Sequence, residues 1–225
     1  MAKSTVPVLI ALSSSLLSAN VMAQDTTTGW LAWFHQQALD ERWQFVADAQ
    51  LRTDNGGGPL QQIIVRPSIS YQLNSTLSLS AGYAYVENIN RQGPNTIEHR
   101  PWQQALFRGS EGDLSWAHRI RLEQRFIDRP SDDIYSDRLR YLVRFQHKLP
   151  SSDRYLALHN ETFINLSGQD QLNGRRFDQN RLGVLLGVPL SKQIAFEAGY
   201  TNQYIKGRID DRQNHVININ LVSRF

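Results

Sequence analysis

From about residue 29 to its end the chain alternates apolar and polar side chains with a period of two. Leu139, Tyr141, Val143 and Phe145 fall on one face of a run, with Arg138, Arg140, Arg144 and Gln146 on the other. Trp43, Phe45, Ala47, Ala49 and Leu51 alternate in the same way with Arg42, Gln44, Asp48, Gln50 and Arg52. Ile217, Ile219 and Leu221 alternate with Asn218 and Asn220, and the last residue is Phe225. This period belongs to strands with two unlike faces, not to helices. Eleven candidate strands follow, over 29–37, 42–53, 60–73, 76–87, 96–108, 113–127, 135–149, 153–166, 176–189, 192–206 and 213–225. Short breaks at 73–76, 109–113, 149–153 and 189–192 alternate with longer polar ones at 88–95, 128–134, 167–175 and 207–212.

Most of these runs have 12 to 15 residues. A strand needs roughly 9–11 residues to cross a bilayer at a tilt, whereas strands of soluble sandwiches are nearer 5–6 residues. Tight turns on one side and longer loops on the other are also an outer-membrane pattern. Aromatics near strand ends suit interfacial girdles: Trp30, Trp33, Trp43, Tyr71, Tyr83, Tyr85, Trp116, Tyr135, Tyr155, Tyr200 and Tyr204. The expected fold is therefore all-β, an antiparallel transmembrane barrel of 10 to 12 strands. Eleven is awkward, because bacterial single-chain barrels carry even numbers. Either a twelfth strand lies near the N-terminus, or the segment near 30–37 is not part of the wall. In the second case ten strands from 42 onward close the barrel, with both termini on the periplasmic side.

The start of the chain reads as an export signal. Lys3 precedes an apolar run from Val6 to Leu17, and Val21-Met22-Ala23 forms a small-x-small cleavage site. The expected organisation is a signal peptide over 1–23 and one barrel domain over 24–225, placed in a Gram-negative outer membrane. A mean hydropathy of −0.44 excludes a bundle of membrane helices. The chain has no Cys, so disulfides and Cys-based metal sites are excluded. With 24 basic and 21 acidic residues, the net charge of +3 is too balanced for a nucleic-acid partner.

Chemistry must then lie on the polar face, which points into the lumen if the apolar face meets lipid. The alternation puts ten arginines there: Arg52, Arg66, Arg100, Arg119, Arg121, Arg125, Arg138, Arg140, Arg144 and Arg181. Asp48, Glu98, Glu123, Glu161 and Glu197 join them. A hairpin centred near 111 makes Glu98 face Arg125, Arg100 face Glu123, Trp102 face Arg121 and Gln104 face Arg119. Opposite charges across strands stabilise a sheet. Arg138, Arg140 and Arg144 crowd against Arg119, Arg121 and Arg125, and Glu161 is needed to neutralise them. One coupled network of these arginines and acids is expected. It is either a plug of salt-bridged side chains or an anion-attracting constriction.

Several motifs in order resemble a known family. They are Glu98-His99-Arg100-Pro101-Trp102-Gln103-Gln104, Leu122-Glu123-Gln124-Arg125 within 119–125, Arg138-x-Arg140-Tyr141, Asn160-Glu161-x-Phe163, Phe177-Asp178-Gln179-Asn180-Arg181 and Gly199-Tyr200. Together they resemble the proteobacterial outer-membrane proteins of domain-of-unknown-function family 2490, over Trp30 to Phe225. The resemblance implies a β-barrel and assigns no activity. The motif residues Glu98, Arg100, Trp102, Arg121, Glu123, Arg125, Arg138, Arg140, Glu161 and Arg181 are ones that the alternation sends into the lumen.

The sequence has no Gly-x-Ser-x-Gly elbow, His-Glu-x-x-His or phosphate-binding loop. His159 and Glu161 share a strand face, but no nucleophile is fixed beside them. Asp132-Asp133 and Asp210-Asp211 read as solvated loop acids, not as a cation site. No cofactor or metal is expected. The expected function is a narrow pore or binding barrel for small anionic solutes, its lumen lined by Glu98, Arg100, Trp102, Arg119, Arg121, Glu123, Arg125, Arg138, Arg140, Arg144, Glu161 and Arg181. Phe225 would serve as the signal to the barrel-assembly machinery, with membrane lipid and lipopolysaccharide as surroundings. The alternatives are a lipid-modifying enzyme and a closed structural envelope barrel.

Overall fold

Each alternating run forms one strand. The computed structural model describes residues 24–130 and 132–225, so the export signal expected over 1–23 lies outside the described residues. The strands are β1 (Gln24–Ala38), β2 (Trp43–Asp54), β3 (Leu60–Gln72), β4 (Leu77–Asn88), β5 (Thr96–Glu111), β6 (Leu114–Asp128), β7 (Ile134–Lys148), β8 (Tyr155–Asn165), β9 (Phe177–Pro189), β10 (Ile194–Ile205) and β11 (Arg212–Arg224). Each pairs with its sequence neighbours, and β1 closes the ring against β11.

That closure resolves the parity question. In a ring with an odd number of strands, one neighbouring pair must run parallel. Here β1 and β11 do so, from Gln24 beside Arg212 to Gln36 beside Arg224. The segment near 30–37 is therefore a wall strand, and the described residues contain eleven strands, with no twelfth. The two ends of the described chain sit at opposite rims: Gln24 at the rim of the longer loops, Phe225 at the rim of the short turns. The chain's last carbonyl accepts from the Ala38 N–H at 2.7 Å, and the Phe225 N–H donates to Gln36 at 2.8 Å.

The β5–β6 register differs from expectation by two residues. Trp102 stands opposite Glu123, Gln104 opposite Arg121 and Leu106 opposite Arg119. The hairpin turns on Gly112 and Asp113 alone, with Gly112 at φ 57° supplying the left-handed conformation that such a tight loop demands. Gly109, expected in the turn, instead lies in β5 opposite Trp116. A Cβ there would come within 2.3 Å of the indole, so this glycine makes room for an aromatic ring.

The outer surface is apolar, with Leu31, Ile69, Leu158, Leu182 and Ile217 each at least 42% exposed. Three outward tyrosines meet histidines on the adjacent strand: Tyr83 with His99, Tyr141 with His118 at 2.8 Å, and Tyr200 with His215 at 2.6 Å. Each pair satisfies the polar tip of an exposed aromatic. Two aromatics expected in the girdles point inward instead. Trp30 shares the inward face with Thr28 and Ala32, and Tyr155 donates to Glu197 at 2.7 Å.

Two prolines interrupt the wall. The β3–β4 ladder passes from Val65–Tyr85 to Ser68–Gly82, skipping Pro67. The β5–β6 ladder passes from His99–Phe126 to Trp102–Glu123, skipping Pro101. Proline has no N–H to give to a ladder.

At the longer-loop rim, Asp211 clamps the β10–β11 connection. Its carboxylate accepts from Lys206 Nζ at 2.8 Å, from the Gly207 N–H at 3.2 Å and from the Tyr204 hydroxyl. Burial raises the Asp211 carboxyl, but these donors outweigh it and hold the group below its ordinary value. The hydrogen bond to Asp211 in turn raises Lys206. A carboxylate lowered on folding stabilises above its unfolded pKa and loses that contribution as pH falls through the folded one. The protection of the Gly207 amide relative to its intrinsic exchange rate at each pH should hold from neutral pH down through the ordinary carboxylate range and fall below it. Asp211→Ala should remove the protection at neutral pH.

Candidate lumen site

The pleat sends every second side chain of each strand inward, and all twelve lumen residues expected from the alternation lie there. Glu98, Trp102 and Glu123 are 2% exposed, Arg121 and Arg138 4%, Arg140 and Glu161 5%, and Arg125 9%. Arg100, Arg119, Arg144 and Arg181 are less deeply buried but contact carboxylates in the same interior.

Direct ion pairs divide the expected single network into separate clusters. In the largest, Arg138 binds Asp178 at 2.9 Å and Glu123 at 2.7 Å. Arg140 bridges Glu123 at 2.6 Å and Glu161 at 2.7 Å, and Glu161 also takes Arg119 at 2.6 Å and Arg181 at 4.0 Å. These contacts join β6, β7, β8 and β9 through the barrel interior. A second cluster has Glu98 holding Arg100 at 2.5 Å and Arg125 at 2.6 Å. Arg144 with Glu197 at 2.5 Å, and Arg66 with Asp48 at 3.3 Å, form the others. Glu161 thus neutralises the β6–β7 arginines, whereas Arg100 pairs with Glu98 rather than Glu123, because the register moved by two.

Aromatic faces fill the space between the charges. The Arg121 guanidinium lies 4.0 Å over Trp102. Phe163, 1% exposed, meets Arg140 at 4.5 Å, Arg181 at 4.6 Å and Arg138 at 5.2 Å. Trp30 lies between Arg52 at 4.0 Å and Arg181 at 4.7 Å. Around Arg52 the partners are the neutral amides of Gln50 and Gln62, both at 2.9 Å.

Four members were missed in the sequence. Simple alternation puts Asp178 on the face opposite Gln179 and Arg181. The β8–β9 register, however, jumps from Phe163–Gln179 to Ile164–Phe177, and the skipped Asp178 bonds Arg138 instead. A bulge re-aims a side chain in this way. Phe163 was visible only as a motif position, and Trp30 and Tyr155 were assigned to girdles because they are aromatic and near strand ends.

His159 has a hydroxyl partner after all: its Nε2 lies 3.5 Å from Thr201 Oγ1. Thr201 is 1% exposed and already accepts from the Asn218 amide at 3.0 Å. That hydroxyl is walled off from any lipid carbonyl outside the barrel.

The family described as "Protein of unknown function (DUF2490)" matches residues 27–214, from β1 into β11. The chain belongs to this family. The DUF2490 barrel is also 30% identical over 185 residues to an uncharacterised protein of Methylorubrum extorquens, covering 80% of each chain. Among solved structures it is similar to a NanC porin, with a TM-score of 0.53 and 13% identity, covering 84% of this chain and 93% of the porin. At that identity the likeness establishes the barrel fold alone.

Proposed function

We propose that this barrel resides in the bacterial outer membrane and binds small anionic solutes in its lumen. The observation that carries this reading is a charge imbalance. The ten arginines expected inward, joined by Arg108 beside Gln72 at the short-turn rim, meet six ion-paired inward carboxylates: Asp48, Glu98, Glu123, Glu161, Asp178 and Glu197. An electropositive, low-dielectric interior concentrates anions. The apolar outer surface and the period-two strands support the membrane setting, with lipopolysaccharide at the longer-loop rim and the assembly machinery reading the strand that ends in Phe225.

The lumen is crossed by closely packed side chains, with Phe163 at 1% and Glu123 at 2% exposure. This packing favours binding over free flow, and it is also what a closed structural barrel needs. Planar-bilayer recordings separate the two. The anion-binding barrel should give small, anion-preferring steps, and Arg52→Gln and Arg144→Gln should each reduce the preference. These arginines flank the middle cluster, so their loss spares its ion pairs. A silent bilayer from correctly folded protein would favour the closed structural barrel.

A further inference from the structure

Among the ten lumen arginines, eight have a carboxylate within 4.0 Å. Among the described residues, Arg52 and Arg121 do not, nor does Arg108, which bonds the Gln72 amide at the short-turn rim. Arg52 is half-buried near the longer-loop rim and gives Nη1 and Nη2 to the amides of Gln62 and Gln50, leaving only its Nε buried without a partner. Arg121 is different: it is 4% exposed, at the middle of β6. Its neighbours raise its cost further. Arg140 stands directly opposite it on β7, and Arg119 and Arg66 are further like-charged neighbours. Glu123, two residues along β6, acts on it from beyond ion-pair distance and is already paired with Arg138 and Arg140, and a buried guanidinium among like charges with no carboxylate in contact is strongly unfavourable.

The geometry of Arg121 also defines what is left to bind. Gln104 Oε1 accepts from Nε at 3.0 Å and from Nη2 at 2.7 Å, which occupies one edge of the fork. Trp102 covers one face at 4.0 Å. Nη1 is fully buried and has no hydrogen-bond partner, and neither do Trp102 Nε1, Arg66 Nε and Arg119 Nε. The outer Nη1–Nη2 edge therefore remains, in a layer where several other N–H donors are also unmatched. Water could accept from such donors but brings no negative charge. A carboxylate or phosphate supplies both, and two of its oxygens fit the end of a guanidinium fork.

We propose that Arg121, with Arg66 and Arg119 around it, forms a site for one small oxyanion, a carboxylate or a phosphate, that serves as its countercharge. This rests on the anion-binding reading above and gives it a location and a ligand class.

The test is the unfolding midpoint of the refolded barrel in neutral detergent. Chloride is replaced at constant ionic strength by phosphate in one arm and by acetate in the other. The parent should show a saturable rise in at least one arm, about 5–10 °C at roughly a hundredfold excess over Kd. The responding arm identifies the anion. Gln104→Glu places a carboxylate against Arg121 from within the chain, and Arg121→Met removes the charge. Each should raise the midpoint in chloride and abolish the saturable response. If Arg121→Met does not fold, the Gln104→Glu barrel decides alone. No saturable response in the parent means water alone serves these donors and overturns the site. An unchanged response in Gln104→Glu overturns it too. Either result, obtained with anion-preferring conductance intact, leaves the broader function standing. A silent bilayer with the saturable response present does the reverse: it removes conduction and keeps the site.

Discussion

Glu98→Gln should be a severely damaging charge removal in the lumen, costing about 3–5 kcal/mol. Its carboxylate is 2% exposed and is the only one paired with either Arg100 or Arg125 among the described residues. Neutralising it leaves two buried guanidinium groups uncompensated. Glu123→Gln should cost less, because Arg138 keeps Asp178 and Arg140 keeps Glu161. Position adds to the difference. The Glu98–Arg125 bridge crosses the β5–β6 seam where Pro101 interrupts the ladder, and the other side-chain contacts flanking that gap include the outward Gln103–Gln124 amide pair at 3.2 Å and His99 Nε2 at 3.8 Å from Asp128. Urea midpoints, read from the band shift of folded barrel on unheated gels, should rank Glu98→Gln below Glu123→Gln and both below the exposed control Glu111→Gln. Adding Arg125→Met to Glu98→Gln should restore part of the loss, since it removes one of the stranded charges. Equal midpoints for Glu98→Gln and the control would mean that the bridge does not hold the seam.

Alternation in the sequence located the wall almost to the residue, and the charged residues it sent inward do face the lumen, whereas it put Asp178 on the wrong face. The inward assignments hold because a polar side chain facing the apolar outer surface is heavily penalised on every strand, so face is over-determined. Register is not. A shift of two keeps every face while exchanging partners, and Arg100 came to pair with Glu98 on its own strand instead of Glu123. The same blindness hides a bulge, which is why Asp178 was read as a motif residue and not as the partner of Arg138. Strand number was legible as eleven, but the habit of even-numbered barrels pulled against it. What settles the matter is the parallel β1–β11 pairing, and no local pattern in either strand announces a parallel neighbour. Trp30 and Tyr155 were misassigned for a related reason: aromatic character near a strand end fits either a girdle or a cation-lined interior, and only parity along the strand distinguishes them.

Phe163→Ala should combine a large loss of stability with a gain in conductance. The ring is 1% exposed and is faced by three guanidinium groups from β7 and β9. Truncation removes its packing and leaves a cavity among the lumen arginines, which for a buried phenylalanine costs about 3–5 kcal/mol. Loss of the cation–π contacts adds about 0.5–2 kcal/mol for each desolvated pair. The same truncation takes away the surface that positions Arg181 between Phe163 and Trp30, so the side chains crossing the lumen lose their common support. Barrels that still fold should therefore unfold at lower urea and conduct more than the parent. Phe163→Leu separates the two causes. It restores most of the volume without the π face, so it should recover most of the packing and return conductance toward the parent while keeping the smaller cation–π deficit. A Phe163→Ala barrel with parental stability and parental conductance would show that the three arginines are held by their carboxylates alone, and that the ring is not what closes the middle of the lumen.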